Sequence, residues 1–286
     1  MTTAGALGEL PSKRRRLAAE LVRLRDQAGL SGRELARQIG ISQSKVSRIE
    51  AGTTMPSIPE VTAWAEAVGT SARTLRRLRS LTEAAFVEVH SWRSLLRDRR
   101  HLQDDIGRRE AAARHIRTFQ PHVVPGLLQT ADYATRVFQM FLLGYAEEDV
   151  AVAVAGRMHR QAVLYEEGEF EFLISEPALR WCPGRRLLVA QLERIFALST
   201  AASVSIGVIP LDAAAVTVIP HGFVIYGEQD PYVTVETVHA NVEVTEPSDV
   251  ALYRNQWEHL ARMAILGDAA REFLTRLIAE FRRDRR

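Results

Sequence analysis

The chain has 286 residues, 47% of them hydrophobic and 25% charged, a formal net charge of +2 and one cysteine. That length accommodates two domains with a sizeable core, and the composition is that of an ordinary globular protein. The single cysteine, Cys182, excludes an internal disulfide and any multi-cysteine zinc site. No apolar run reaches the length of a membrane span, and MTTAGALGEL lacks a signal peptide's apolar core, so the expected location is the cytoplasm. Cys182 itself reads as a small buried hydrophobe.

Net charge conceals an asymmetry. Residues 1–80 hold 14 Lys and Arg against 7 Asp and Glu, residues 81–120 hold 8 against 6, and residues 121–286 hold 15 against 22. A basic front and an acidic back are expected if only the front meets a polyanion such as double-stranded DNA.

After a short tail, Ser12 precedes Lys13-Arg14-Arg15-Arg16 and an apolar-periodic run of Leu17, Leu21, Leu24 and Ala28. Four cations in the first turn of a helix oppose its dipole. Phosphate backbone is one partner for them; a merely solubilising cluster is the other reading. Gly29 ends this helix and Ser31 caps the next, residues 32–39, with Leu35, Ala36 and Ile39 on its apolar face. Gly40 breaks it, Ser42 caps a third helix over 43–51, and Gly52 stops that one. Two short helices joined by a glycine-bearing turn make a helix-turn-helix unit.

At 100° per residue the third helix divides cleanly: Gln43, Ser44, Ser47 and Arg48 fall on one arc, Val46 and Ile49 on the opposite one. Gln pairs with adenine edges, Arg with guanine and Ser with either, so the polar arc carries candidate base contacts. A solvated helix face is the alternative for the same pattern. Lys13, Arg14, Arg15, Arg16, Ser31, Arg33, Lys45 and Thr53 are the candidate phosphate contacts.

Arg25, Gly29, Ser31, Glu34-Leu35-Ala36, Gly40-Ile41-Ser42, Val46-Ser47, Ile49-Glu50 and Gly52 resemble the phage-repressor-like XRE helix-turn-helix family. The resemblance covers about the first 80 residues. It implies that Arg25 and Glu50 form a structural pair rather than a readout pair.

Beyond the recognition helix, residues 53–56 read as a loop, and 57–68 as a fourth helix packing Ile58, Val61, Trp64 and Ala65. A fifth helix, 71–81, carries Arg73, Arg76, Arg77 and Arg79, either reaching DNA at its edge or facing water. Residues 81–120 read as a helical connector with Phe86, Trp92, Leu95, Leu96, Leu102, Ile106 and Ile116 as its apolar thread. Pro121 and Pro125 bracket a turn or short strand. Helices follow over 127–143, capped around Thr130, and over 147–165. Period-two alternation then marks strands at 169–174, 204–209, 222–226, 232–237 and 241–244, with a helix at 185–200. Helices over 247–266 and 268–283 close the chain, and the basic residues 282–286 suit a solvated helix C-terminus.

The expected fold is therefore mainly α with an α+β C-terminal domain. A five-helix bundle occupies 1–80, the connector 81–120, and a mixed sheet flanked by helices 121–286.

Val124-Pro125-Gly126-Leu127-Leu128-Gln129-Thr130 with Tyr133-Ala134, then Arg157, Arg160-Gln161, Ser175-Glu176-Pro177-Ala178-Leu179-Arg180, Gln191-Leu192 and Val208-Ile209-Pro210 resemble the C-terminal domain of actinobacterial Scr-type antitoxin-like regulators. That resemblance implies a very short protein, encoded nearby, as a partner. It implies no activity for individual residues.

No P-loop, GxGxxG, GxSxG or HExxH pattern occurs, and the eight histidines lack metal-ligand spacing. His101 with Asp104 and Asp105 is the nearest approach to a metal cluster. Glu166, Glu167, Glu169 and Glu171 look like a hairpin edge or a surface for a basic partner. Neither catalysis, nor a cofactor, nor a metal is expected. The sequence reads first as a DNA-binding regulator, a homodimer on an operator whose back half dimerises and binds a small protein. A small-molecule sensor with its pocket along the sheet and residues 121–130 is the second reading, and an enzyme with a DNA-targeting module a distant third.

Overall fold

The computed structural model describes residues 13–91, 99–140, 147–238 and 240–283, with backbone alone for 87–91 and 99–105. Ser12, Trp92, Leu95, Leu96, Leu143, His239 and Arg285-Arg286 lie outside the described residues, as do the side chains of Leu102, His101, Asp104 and Asp105. The chain divides into two compact units: Met1–Glu88 with Glu243–Glu246, and Val89–Val242 with Pro247–Arg286.

The first unit holds five helices: α1 (Lys13–Gln27), α2 (Gly32–Ile39), α3 (Gln43–Glu50), α4 (Ile58–Ala67) and α5 (Ala72–Phe86). Each short helix has its ends fixed by side chains named in the sequence. Ser31 accepts from the Glu34 N–H at 3.2 Å while a Glu34 carboxylate oxygen accepts from the Ser31 N–H at 2.8 Å, a reciprocal cap that satisfies two otherwise orphaned donors. Gly40 then adopts φ +72°, a left-handed turn that glycine enters without a Cβ penalty. Ser42 accepts from the Lys45 N–H at 3.2 Å to begin α3. Leu17, Leu21, Leu35, Val46, Ile49, Val61, Trp64 and Leu78 meet in one buried core. All five helices contribute to that core, which is what holds three helices of eight to ten residues that would be marginal alone.

The remaining elements are β1 (Val87–Ser91), α6 (Arg99–Ala113), β2 (His115–Gln120), a 3-10 turn (Gly126–Leu128), α7 (Ala131–Met140), α8 (Glu147–Arg160), a second 3-10 turn (Gln161–Tyr165), β3 (Glu169–Ser175), α9 (Glu176–Arg180), α10 (Arg185–Leu198), β4 (Val204–Ile209), β5 (Phe223–Tyr226), β6 (Tyr232–Glu236), β7 (Ala240–Val244), α11 (Pro247–Ala261) and α12 (Gly267–Arg283). The strands form a seven-stranded mixed sheet in the order β1-β7-β6-β5-β2-β3-β4. β2 runs parallel to β3 and β3 to β4, whereas β5 is antiparallel to both β2 and β6. Ile116 stands opposite Phe170 and Tyr226, and Phe170 opposite Val204, so an apolar band crosses β5, β2, β3 and β4. Helices α10 and α12 pack on one another, and α12 also meets β4. The fold is mainly helical with an α+β second part, in agreement with the sequence reading.

Several details differ from expectation. The stretch read as a helical connector also carries β1 and β2, because α5 runs on to Phe86 and α6 ends at Ala113. Arg114, at φ +48°, ends that helix and turns the chain into β2. Glu169 and Glu171 sit on β3, which is paired on both sides and so is no hairpin edge. Cys182 is exposed, not buried, because it lies in the turn between α9 and α10.

Candidate nucleic-acid interface

In α3, Val46 and Ile49 are each 1% exposed, and they tie the helix to the core of the first unit. The four residues of the opposite arc, Gln43, Ser44, Ser47 and Arg48, are all exposed. The helix thus presents amide, hydroxyl and guanidinium groups outward from a fixed backbone. Ser44 and Ser42 hydroxyl oxygens lie 3.0 Å apart, which orients one readout candidate against the cap of its own helix.

The far end of α3 is held by the first helix. Arg25 Nε donates to Glu50 Oε1 at 2.5 Å, Nη2 to Oε2 at 3.3 Å, and Nη1 to the Leu30 carbonyl at 2.8 Å. The hydrogen bond Arg25 donates to Glu50 outweighs the desolvation of Arg25 and holds its guanidinium charge more firmly than in water. Gly52 follows at φ +70°, and a Cβ there would stand 3.8 Å from that of Ala18 and 3.9 Å from Arg15 Cγ, which places the start of α1 beside the exit of α3.

The residues expected at phosphates divide into two groups. Lys13, Arg15, Arg16 and Arg33 are exposed. Others are engaged within the unit: Lys45 Nζ lies 2.6 Å from Glu60 Oε1, the Thr53 hydroxyl donates to the Arg48 carbonyl at 3.0 Å, and Ser31 is taken up by its cap. Arg14 Nη2 donates to Glu243 Oε1 at 2.9 Å. Of the α5 arginines, all exposed, Arg77 pairs with Glu20, as does Arg23. Sequence reasoning missed Glu60 and Glu243. Glu60 also closes a reciprocal cap with Ser57 at the start of α4, and no local signal points to Glu243, 229 residues from its partner.

In the second unit Gln129, Gln161 and Gln191 are internal fasteners. Gln191 Nε2 donates to the Leu128 carbonyl at 2.7 Å while its Oε1 accepts from the Thr130 N–H at 2.7 Å. Gln161 donates to the Gln129 carbonyl at 2.6 Å, and Gln129 donates to the Val124 carbonyl and accepts from Arg157 Nη1, both at 2.7 Å. Three amide side chains thereby satisfy the backbone of an irregular segment that neither helix nor sheet could satisfy. Arg160 and Glu110 form a two-pronged ion pair at 2.8 and 2.9 Å nearby. Ser175 caps α9 and donates to the Pro121 carbonyl at 2.7 Å, and Glu176 accepts from Arg180 and from the Leu211 N–H.

Residues 121–130 pack Val124, Leu127 and Leu128 into the core. A cleft of about 370 Å³ lies along the sheet at His115, Arg117, Ile225, Gly227, Glu228, Arg254 and Glu258. His115 bridges Glu171 and Glu228 at 2.8 and 2.9 Å, and Arg117 shares Glu171 at 2.8 Å. Burial works against the charge on Glu171, but Arg117 and His115 outweigh it and hold the carboxyl below its ordinary range. Among the described residues no group of three or more potential ligands is arranged to hold a metal, and no helix is long and apolar enough to cross a membrane.

Caps, turn, core and exposed polar arc together define the first unit as a helix-turn-helix domain, and a family model described as a helix-turn-helix domain matches residues 16–78. A second model, described as "Domain of unknown function (DUF5753)", matches residues 103–276, more than half of the chain. The chain belongs to that family. No curated protein matches it. One solved structure, described as "Structure of TrmBL2, an archaeal chromatin protein, shows a novel mode of DNA binding", aligns over 91% of this chain and 95% of that one at 11% identity, with a TM-score of 0.33.

Proposed function

We propose that the protein is a sequence-specific transcription regulator of the phage-repressor-like, antitoxin-like kind. Its α3 reads base edges in the major groove through Gln43, Ser44, Ser47 and Arg48, and it binds as a homodimer on two-fold-related half-sites. Lys13, Arg14, Arg15, Arg16, Ser31, Arg33, Lys45 and Thr53 serve the sugar-phosphate backbone, which sets register without carrying sequence. The observation that carries this reading is the exposure of all four polar residues of α3 while Val46 and Ile49 are buried beneath them. The second unit binds a very short protein partner, and that partner alters DNA affinity by favouring one of two states.

Selection of bound fragments from source genomic DNA by the full-length protein, with and without the short protein encoded beside it, tests both halves. A recurrent palindromic sequence whose recovery changes with the short protein is expected. Recovery of random fragments alone, at low ionic strength, would refute sequence-specific reading.

A second reading, regulation by a small molecule, is favoured by the charged cleft at Arg117, Arg254 and Glu258. In that case a polar ligand library raises the melting midpoint of the full-length protein, and Arg254→Ala removes the rise.

A further inference from the structure

Among the basic residues at the start of α1, Arg14 alone is half-buried, whereas Lys13, Arg15 and Arg16 are exposed. Its guanidinium meets the Glu243 carboxylate at 2.9 Å, the side chains being 20% and 8% exposed. Two residues further on, Thr245 donates its N–H at 2.9 Å and its hydroxyl at 3.3 Å to the Phe86 carbonyl, the last of α5. The four-residue segment Glu243–Glu246 is thus fastened at two points to the first unit, on α1 and on α5, which pack together. The chain on either side of it, ending at Val242 and resuming at Pro247, belongs to the second unit.

An arginine fork binds carboxylate and phosphate through the same pair of donors, so one guanidinium edge serves one or the other. A buried carboxylate at the basic start of α1 also opposes the approach of a phosphate by like-charge repulsion. Release of Arg14 would add one cation to those that displace counterions from DNA. The segment that holds it is covalently continuous, at both ends, with the regulatory half of the chain.

We propose that Glu243 competes with the DNA backbone for Arg14, so that Glu243–Glu246 acts as a built-in brake on DNA binding, released when the second unit withdraws it. The inference rests on the DNA-binding reading of the first unit and names how that site is regulated. Any effector that favours the withdrawn state tightens DNA binding, and by linkage DNA favours effector binding.

The test measures binding of a labelled mixed-sequence duplex of about three helical turns to full-length protein by fluorescence anisotropy across a salt series. Glu243→Gln, nearly isosteric, is expected to tighten binding about three- to tenfold and to steepen the slope of log affinity against log salt by about 0.9, one extra phosphate contact. Arg14→Gln in the Glu243→Gln background is expected to abolish the gain. Glu243→Asp, which keeps the charge and withdraws it by one methylene, is expected to fall between parent and Glu243→Gln, and serves if the Gln variant melts early. Unchanged or weaker binding by a folded Glu243→Gln, or a gain that survives loss of Arg14, overturns the proposal. Failure of the parent and every variant to bind duplex at low salt would instead overturn the DNA-binding reading itself.

Discussion

Arg25 and Glu50 join the end of α3 to the first helix of the bundle by a bidentate contact, Nε to Oε1 at 2.5 Å and Nη2 to Oε2 at 3.3 Å. Both side chains are under one-fifth exposed, 14% and 19%, so the pair is screened far less than a surface ion pair. Neither faces outward from the polar arc of α3. Removing either partner, by Arg25→Ala or Glu50→Ala, is expected to cost about 1.5 to 3 kcal/mol of unfolding free energy while leaving base preference unaltered. Urea unfolding of the full-length chain, beside a binding-site selection, measures both; a changed preference with unchanged stability would assign the pair to readout.

The exposed arc and the basic start of α1 should separate in kind. Gln43→Ala or Arg48→Ala is expected to relax preference at one position per half-site by about 1 to 3 kcal/mol. Arg15→Ala or Arg16→Ala is expected to weaken binding to all sequences alike and to flatten the salt slope by about one unit. Competition assays against single-base operator variants at two salt concentrations resolve the two patterns.

Glu60 gives the DNA-binding unit an acid-sensitive joint. Burial works against its ionisation, but Lys45 at 2.6 Å and the Ser57 N–H at 2.9 Å outweigh that, so its carboxyl titrates below the ordinary 4.5. A carboxyl whose folded value is depressed contributes fully above its unfolded value and loses that contribution as pH falls through the folded one. The stability difference between parent and Glu60→Gln is therefore expected to be constant near neutrality and to shrink below about pH 4.5. Urea melts at intervals between about pH 6 and pH 3 follow it, and a gap that widens in acid would reverse the assignment.

Gln191 is completely buried and carries two backbone groups of the segment around Thr130. Gln191→Leu leaves the Leu128 carbonyl and the Thr130 N–H without that partner in the core, at an expected cost of about 2 to 5 kcal/mol. Gln256→Leu, near the protein surface, is expected to cost under about 1 kcal/mol. Denaturant unfolding of the two variants compares them directly.

The DNA-binding unit was legible because its information is local. Ser31, Gly40, Ser42 and Gly52 each act within four residues, and the side chains of α3 sort by helical period alone. Residues 204–209 and 169–174 were legible as strands for the same reason, since apolar residues alternate or run together there. The strand at His115–Gln120 was not, because it follows a charged helix after a single residue and its outward positions carry His115 and Arg117. Those charges are matched by Glu171, Glu228 and Glu258, which a local pattern cannot see. The signature residues Gln129, Gln161 and Gln191 were visible as a resemblance, but their work in closing an irregular backbone depends on contacts up to 63 residues apart. Cys182 misled because residue type was taken for environment; its turn leaves the thiol exposed.

Because Thr245 and Glu243 complete the helix-turn-helix unit from near the other end of the chain, that unit is not a contiguous cassette. Grafting residues 13–88 onto another effector module would leave behind a structural strut of the DNA reader. A transplant that is to keep this unit whole must carry Glu243–Glu246 as well as residues 13–88.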